Sequence, residues 1–137
     1  MRDLRYGGTT ADEKELNAIL KSVKKSIKTG NWQTGEETRL FEKEAAEYLG
    51  VKYGILTTSG SCAGLLALSA LELPKGSEVI IPAVTFPTIF NIILQCGLVP
   101  VVVDVGNDYV IDVERLEEAI GKKTKAIIAV HALGYPC

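Results

Sequence analysis

At 137 residues with 47% hydrophobic content, the chain is long enough to bury a core of single-domain size. Its formal net charge of −2, from well-mixed acids and bases, argues against a dedicated nucleic-acid binder, which would carry a basic face. No apolar run reaches the roughly 18–20 residues of a membrane span, and the polar start Met1-Arg2-Asp3-Leu4-Arg5 is not that of a signal peptide. Cys62, Cys96 and Cys137 are odd in number and far apart, with no CxxC pair, so a disulfide framework or zinc site is not expected and a reducing cytoplasm fits best. A single His argues against a His-based metal site.

Arg5-Tyr6-Gly7-Gly8 reads as a loop start. Thr10-Ala11-Asp12-Glu13 has the spacing of a capping box, Thr followed three residues later by Glu. Leu16, Ile19, Leu20, Val23 and Ile27 then keep helical spacing, and Gly30 falls where a C-terminal cap belongs. Lys21, Lys24, Lys25 and Lys28 lie off that stripe and near the helix C-terminus, where the dipole favours cations. Asn31-Trp32-Gln33-Thr34-Gly35 is a turn holding the only Trp, a residue that suits a core, a pocket wall or a subunit contact. A second helix is predicted from about Glu36 to Leu49, with Leu40, Phe41, Ala45 and Tyr48 as its apolar set and Gly50 ending it.

Strands and helices then alternate. Tyr53–Thr57 is predicted as a strand leading to a buried helix over Ser61–Leu71, with Pro74-Lys75-Gly76 as a turn. Strand Glu78–Ile81, a helix from about Thr88 to Cys96 capped by Gly97, and a β-branched strand Pro100–Val105 follow. Asp112 is placed to cap a helix Val113–Ile120, and Lys125–Val130 reads as another buried strand. Repeated strand–helix–strand units with doubly apolar strands predict a layered α/β fold with a largely parallel sheet. The chain stops at Gly134-Tyr135-Pro136-Cys137 directly after a strand-like run, so part of a larger protein is expected.

In such sheets ligands gather at the carboxyl ends of the strands. Ser59–Ser61, Thr85–Phe86, Asp104 and His131 all fall just after predicted strands. Ser59-Gly60-Ser61 joins the first of these strands to its helix. Unpaired N–H groups at a helix start, together with its dipole, attract an anion, and small residues allow close approach. An ordinary Ser N-cap on a core helix fits the same residues. A phosphate-holding turn beside a loop aromatic suits a flat phosphorylated cofactor, with Phe86 over the ring; Phe86 as core fits too. Asp104 suits a ligand hydroxyl or a turn closure, and His131 a ligand contact or a structural hydrogen bond. No nucleophile–base pair can be assembled from the chain.

Longer stretches carry a resemblance. Trp32…Gly35…Phe41-Glu42…Ala46…Leu49-Gly50-Val51, then Thr58-Ser59-Gly60-Ser61-Cys62-Ala63, is similar to the DegT/DnrJ/EryC1/StrS family of sugar aminotransferases. So is Gly76-Ser77-Glu78-Val79-Ile80-Ile81-Pro82-Ala83-Val84-Thr85-Phe86, followed by Gly97–Val105, Ile111-Asp112…Leu116-Glu117, Lys123–Ile127 and His131…Gly134. The resemblance implies the N-terminal part of the large domain of a fold type I pyridoxal-phosphate transferase, three-layer α/β/α with a mostly parallel sheet. Residues 1–50 would form an N-terminal helical segment and 51–137 the first part of the cofactor-binding domain.

It further implies a homodimer or higher oligomer acting on nucleotide-linked keto-sugars with pyridoxal 5′-phosphate or pyridoxamine 5′-phosphate. Ser59, Gly60, Ser61 and Cys62 would hold the cofactor phosphate, and Phe86 would stack on its ring. Phe86-Pro87-Thr88…Asn91 with His131-Ala132-Leu133-Gly134-Tyr135-Pro136 is closer to the pyridoxamine-dependent sugar 3-dehydrases of the family. Cys62 and Gly64 depart from their usual Ser and Asn, and Tyr135 from Asn. The family's cofactor Lys (or His) and its acidic pyridinium partner would both lie beyond Cys137, so no catalytic residue is assigned and the chain alone is expected to be inactive. A non-catalytic split gene product and a generic nucleotide-binding α/β domain are the other readings of the same residues.

Overall fold

The computed structural model describes residues 11–32 and 35–137. The readings placed on Arg5–Gly8, Thr10 and Gln33-Thr34 lie outside them. The chain divides into two compact units, Met1–Leu56 and Thr57–Cys137.

The first unit holds two helices, α1 (Glu13–Thr29) and α2 (Glu36–Leu49). A capping box at the start of α1 is formed by Asp12 and Glu15. Asp12 Oδ1 accepts from the Glu15 N–H at 2.8 Å, and the Glu15 carboxylate accepts from the Asp12 N–H at 2.9 Å. Asp is among the strongest N-cap residues, and the pair satisfies two N–H groups that the helix start leaves without partners. Gly30 and Gly50 end their helices at φ +68° and +67°, a conformation that favours glycine. Lys25 pairs with Glu36, which raises the pKa of the ammonium and lowers that of the carboxyl through their hydrogen bond and mutual charge. The pair is exposed and contributes little.

The apolar stripe of α1 stays half open: Leu16, Ile19, Leu20, Val23 and Ile27 are all exposed, and no α1 residue is buried. In α2 the buried residue is Ala46; Leu40, Phe41 and Tyr48 of the expected apolar set are exposed and Ala45 is half-buried. Trp32 is exposed and lines a cleft of about 370 Å³ with Val23, Ser26, Thr29 and Glu36.

Tyr53–Thr57 forms no strand among the described residues. A strand exists only when a neighbour takes its backbone groups, and here the Leu56 N–H goes instead to the Glu42 carboxylate at 2.9 Å. Gly54 permits the passage past α2, since a Cβ there would stand 2.6 Å from the Glu42 carbonyl oxygen.

The second unit is a three-layer α/β/α arrangement. Its elements are α3 (Gly60–Ala70), β1 (Glu78–Pro82), α4 (Thr88–Gln95), β2 (Val99–Val103), α5 (Val113–Ala119) and β3 (Thr124–Ile127). The sheet order is β2-β1-β3, all parallel, with Ile80 opposite Val101 on one side and Ile127 on the other. Side chains alternate along β1. Val79 and Ile81 join Leu68, Ile92, Ile93 and Leu98 beneath α3 and α4, while Ile80 packs with Val103 and Ile111 beside Leu116 of α5.

Only the central strand is buried on both faces. β2 leaves Val99 and Val102 exposed, and β3 leaves Ile127 exposed and ends before Ile128, so neither of the two runs expected as doubly covered strands is one here. Both lie at the edges of the sheet, where one neighbour is missing and the helices cover less. The expected buried helix likewise buries Leu68 and half-buries Leu65, with Leu66 and Leu71 exposed.

Candidate anion and ring site

The turn expected to hold a phosphate opens α3. Ser59 is its N-cap: Ser59 Oγ accepts from the Cys62 N–H at 3.2 Å, and Ser59 carbonyl oxygen accepts from the Ala63 N–H at 3.0 Å. Thr57 Oγ1 donates to that same carbonyl at 2.8 Å, pinning the cap. Ordinary capping is therefore real, but it satisfies only part of the first turn. Among the described residues the N–H groups of Gly60 and Ser61 have no protein partner, and they lie where the helix dipole is positive. A Cβ on Gly60 would meet nothing within 4 Å. Neither backbone strain nor packing calls for glycine there, and the space it leaves faces outward.

Cys62, in the same turn, is exposed. Its Sγ accepts from Thr58 Oγ1 at 3.3 Å. Hydrogen bonding from Ser59, and then from Thr58, lowers the thiol pKa from its usual value.

The second loop comes close through one side-chain bond. Ser61 Oγ donates to Thr88 Oγ1 at 3.1 Å, tying the first turn of α3 to the first residue of α4. Both residues are half-buried. Phe86 stands two residues before Thr88, after the carboxyl end of β1, and in this chain it is 71% exposed. In the sequence Thr88 stands only as a helix start and as part of the Phe86-Pro87-Thr88…Asn91 motif, with no role at this turn. A hydroxyl at the first position of a helix that follows Pro87 was the available signal.

The other two edge residues are held elsewhere. Asp104 follows β2, where its Oδ2 accepts from Arg115 Nη1 at 3.2 Å and its Oδ1 from the Val105 N–H at 3.2 Å. It closes the turn toward α5, the commoner role for a strand-end Asp. His131 Nδ1 accepts from the Cys137 N–H at 3.0 Å and lies 3.3 Å from Cys137 Sγ, within its own loop. Among the described residues no three metal-ligating side chains gather, and no helix is long and apolar enough to cross a membrane.

This fold and order of loops recur in known proteins. The sequence profile of the DegT/DnrJ/EryC1/StrS aminotransferase family matches residues 13–137. The chain is 42% identical to GDP-4-keto-6-deoxy-D-mannose 3-dehydratase from Yersinia pseudotuberculosis, over 99% of this chain and 35% of that protein. It is 40% identical to UDP-N-acetyl-3-dehydro-alpha-D-glucosamine 3-aminotransferase from Acidithiobacillus ferrooxidans, over 86% of this chain and 32% of that protein. Among solved structures it superimposes on the E. coli GDP-4-keto-6-deoxy-D-mannose-3-dehydratase with bound hydrated PLP, at a TM-score of 0.82 and 36% identity, over 93% of this chain and 33% of that one. The chain thus spans about a third of the length of these relatives. With a profile match that spans residues 13–137, from α1 through the last loop, this chain belongs to the DegT/DnrJ/EryC1/StrS aminotransferase family.

Proposed function

We propose that this chain is the N-terminal portion of a nucleotide-sugar aminotransferase that works with pyridoxal 5′-phosphate, and that the first turn of α3 seats the cofactor phosphate. The observation that carries the reading is the pair of unpartnered N–H groups on Gly60 and Ser61, beside a glycine whose missing side chain opens onto empty space. A phosphate dianion matches those donors and the dipole behind them. The Ser59 hydroxyl orders the turn, Cys62 lines it, and the exposed ring of Phe86 supplies a flat apolar face for a pyridine ring. When bound, the cofactor supplies the electron sink for bond changes at the substrate carbon. This chain's residues bind and orient it. The protonating and lysine-type groups are assigned to the portion that the relatives have beyond this third of their length.

Assembly as a homodimer or higher oligomer, a cytoplasmic site of action, a nucleotide-linked keto-sugar substrate, and residues 51–137 as the first part of the cofactor-binding domain belong to the same reading. Pyridoxamine-dependent 3-dehydration is the second reading. It is supported by Phe86-Pro87-Thr88…Asn91 and His131–Pro136, and by the 42% identity to a 3-dehydratase. The mass of the sugar product made by the complete protein separates the two: amino transfer exchanges a keto oxygen for an amine, whereas dehydration removes a hydroxyl.

The seat itself is tested on this chain with pyridoxine 5′-phosphate, which keeps ring and phosphate but has no aldehyde to react with lysines. Occupancy should protect Cys62 from alkylation while leaving Cys137 reactive. Equal alkylation of Cys62 at all ligand concentrations would remove the turn from the site.

A further inference from the structure

The geometry points to Thr88 as a positioning residue for the anion seat, acting through the hydroxyl of Ser61. The inference rests on the proposed seating of phosphate at the start of α3 and assigns a role to a residue of α4.

Ser61 and Thr88 are 27 positions apart in sequence, yet their hydroxyls are 3.1 Å apart. Each opens a different helix. One turn further along, a Cβ on Gly64 would sit 3.3 Å from Ile92 Cδ1, so the two helices are close just below the hydroxyl pair. Ile92 is buried in the core under the sheet, which holds α4 and therefore Thr88 in place. The partner of Ser61 is thus a fixed group.

A hydroxyl carries one donor and two acceptor lone pairs and rotates to suit its surroundings. With Ser61 donating to Thr88, its proton is not available to an anion at the adjacent amides. Reversal of the pair frees that proton. Thr88 then donates to Ser61, and the Ser61 proton turns toward the anion, beside the N–H groups of Gly60 and Ser61. No covalent bond forms or breaks; two hydroxyls rotate, and the hydrogen bond between them reverses. A chained donor is polarised by the bond it accepts, so Ser61 donates more strongly with Thr88 behind it. Thr88 never touches the anion and acts only through Ser61.

The test is anion binding by the chain, read from protection of Cys62 against alkylation, with pyridoxine 5′-phosphate and inorganic phosphate as probes. Thr88→Val keeps the shape and removes the hydroxyl, and it should weaken binding by roughly 2- to 10-fold, the equivalent of one ordinary hydrogen bond. Thr88→Ser should restore binding, and Thr88→Ala, free of β-branching at the helix start, should match Val. In a Ser61→Ala background the Thr88→Val change should have no further effect, a coupling that a merely structural role would not produce. Unchanged binding in both Val and Ala variants, or an undiminished Thr88→Val effect in the Ser61→Ala chain, would overturn the inference. Failure of the unsubstituted chain to bind either probe would overturn the seat itself and this role with it.

Discussion

A Cβ placed on Gly64 would stand 3.3 Å from Cδ1 of Ile92. Gly64 half-buries on α3 and Ile92 is buried on α4, so this contact sets how close the two helices lie beneath the anion seat. Close packing at such a point is felt by single methyl groups.

Gly64→Ala should therefore be nearly neutral. The gain of about 1 kcal/mol in helix propensity is offset by the shift forced on Ile92. Gly64→Leu should cost about 1–3 kcal/mol by overpacking, and Ile92→Val should recover part of it. Denaturant midpoints of the four chains check this, and a Leu variant as stable as Ala would show the contact to be slack.

Gly60 behaves differently because its side-chain direction is empty. Gly60→Val should change stability by no more than the ~0.5 kcal/mol typical of surface positions. Protection of Cys62 by pyridoxine 5′-phosphate should fall by tenfold or more, since the new methyls fill the approach to the amides. Intact protection in a folded Gly60→Val chain would falsify the phosphate seat.

At 71% exposure Phe86 contributes little to folding. Phe86→Ala should cost less than about 1 kcal/mol of stability, where a core Phe would cost about 3–5. Ring contact with the ligand should still be worth about 0.5–1.5 kcal/mol, so affinity for pyridoxine 5′-phosphate should drop while that for inorganic phosphate holds. Equal losses for both ligands would mean that the aromatic face is not used.

The lowered pKa of Cys62 has a measurable consequence. Thiolate is the reactive form, so the rate of alkylation at Cys62 should rise through a midpoint below that of an ordinary cysteine thiol. Ser59→Ala and Thr58→Val each remove a stabilising hydroxyl and should move the midpoint up. Ser59→Ala should also cost about 0.5–2 kcal/mol as a lost N-cap, which Thr58→Val should not. A midpoint unmoved in both variants would disconnect the hydroxyls from the thiol.

The open apolar surface should make the isolated chain self-associate. Leu16, Ile19, Leu20, Val23 and Ile27 of α1 are exposed together, and β2 and β3 leave sheet edges unpaired among the described residues. Light scattering should show concentration-dependent association that Leu20→Glu with Val23→Glu reduces. A monodisperse monomer at all concentrations would contradict this.

What the sequence by itself determined is local. Helix ends are written in residues a few positions apart: Gly30 and Gly50 tolerate positive φ, and Asp112 caps α5 by accepting from the N–H groups of Glu114 and Arg115. Parallel strands announced themselves through β-branched runs, and the small residues 59–62 marked the turn that opens α3. Ladders and burial were settled only by tertiary structure, because they depend on partners distant in the chain. Tyr53–Thr57 has strand composition but no neighbour among the described residues, whereas Glu78–Pro82 has two and becomes the buried centre. Arg115 claims Asp104 for the turn toward α5. Thr88 reaches Ser61 only because β1 and α4 bring the chain back to the start of α3, where two hydroxyls 27 residues apart come within hydrogen-bonding distance.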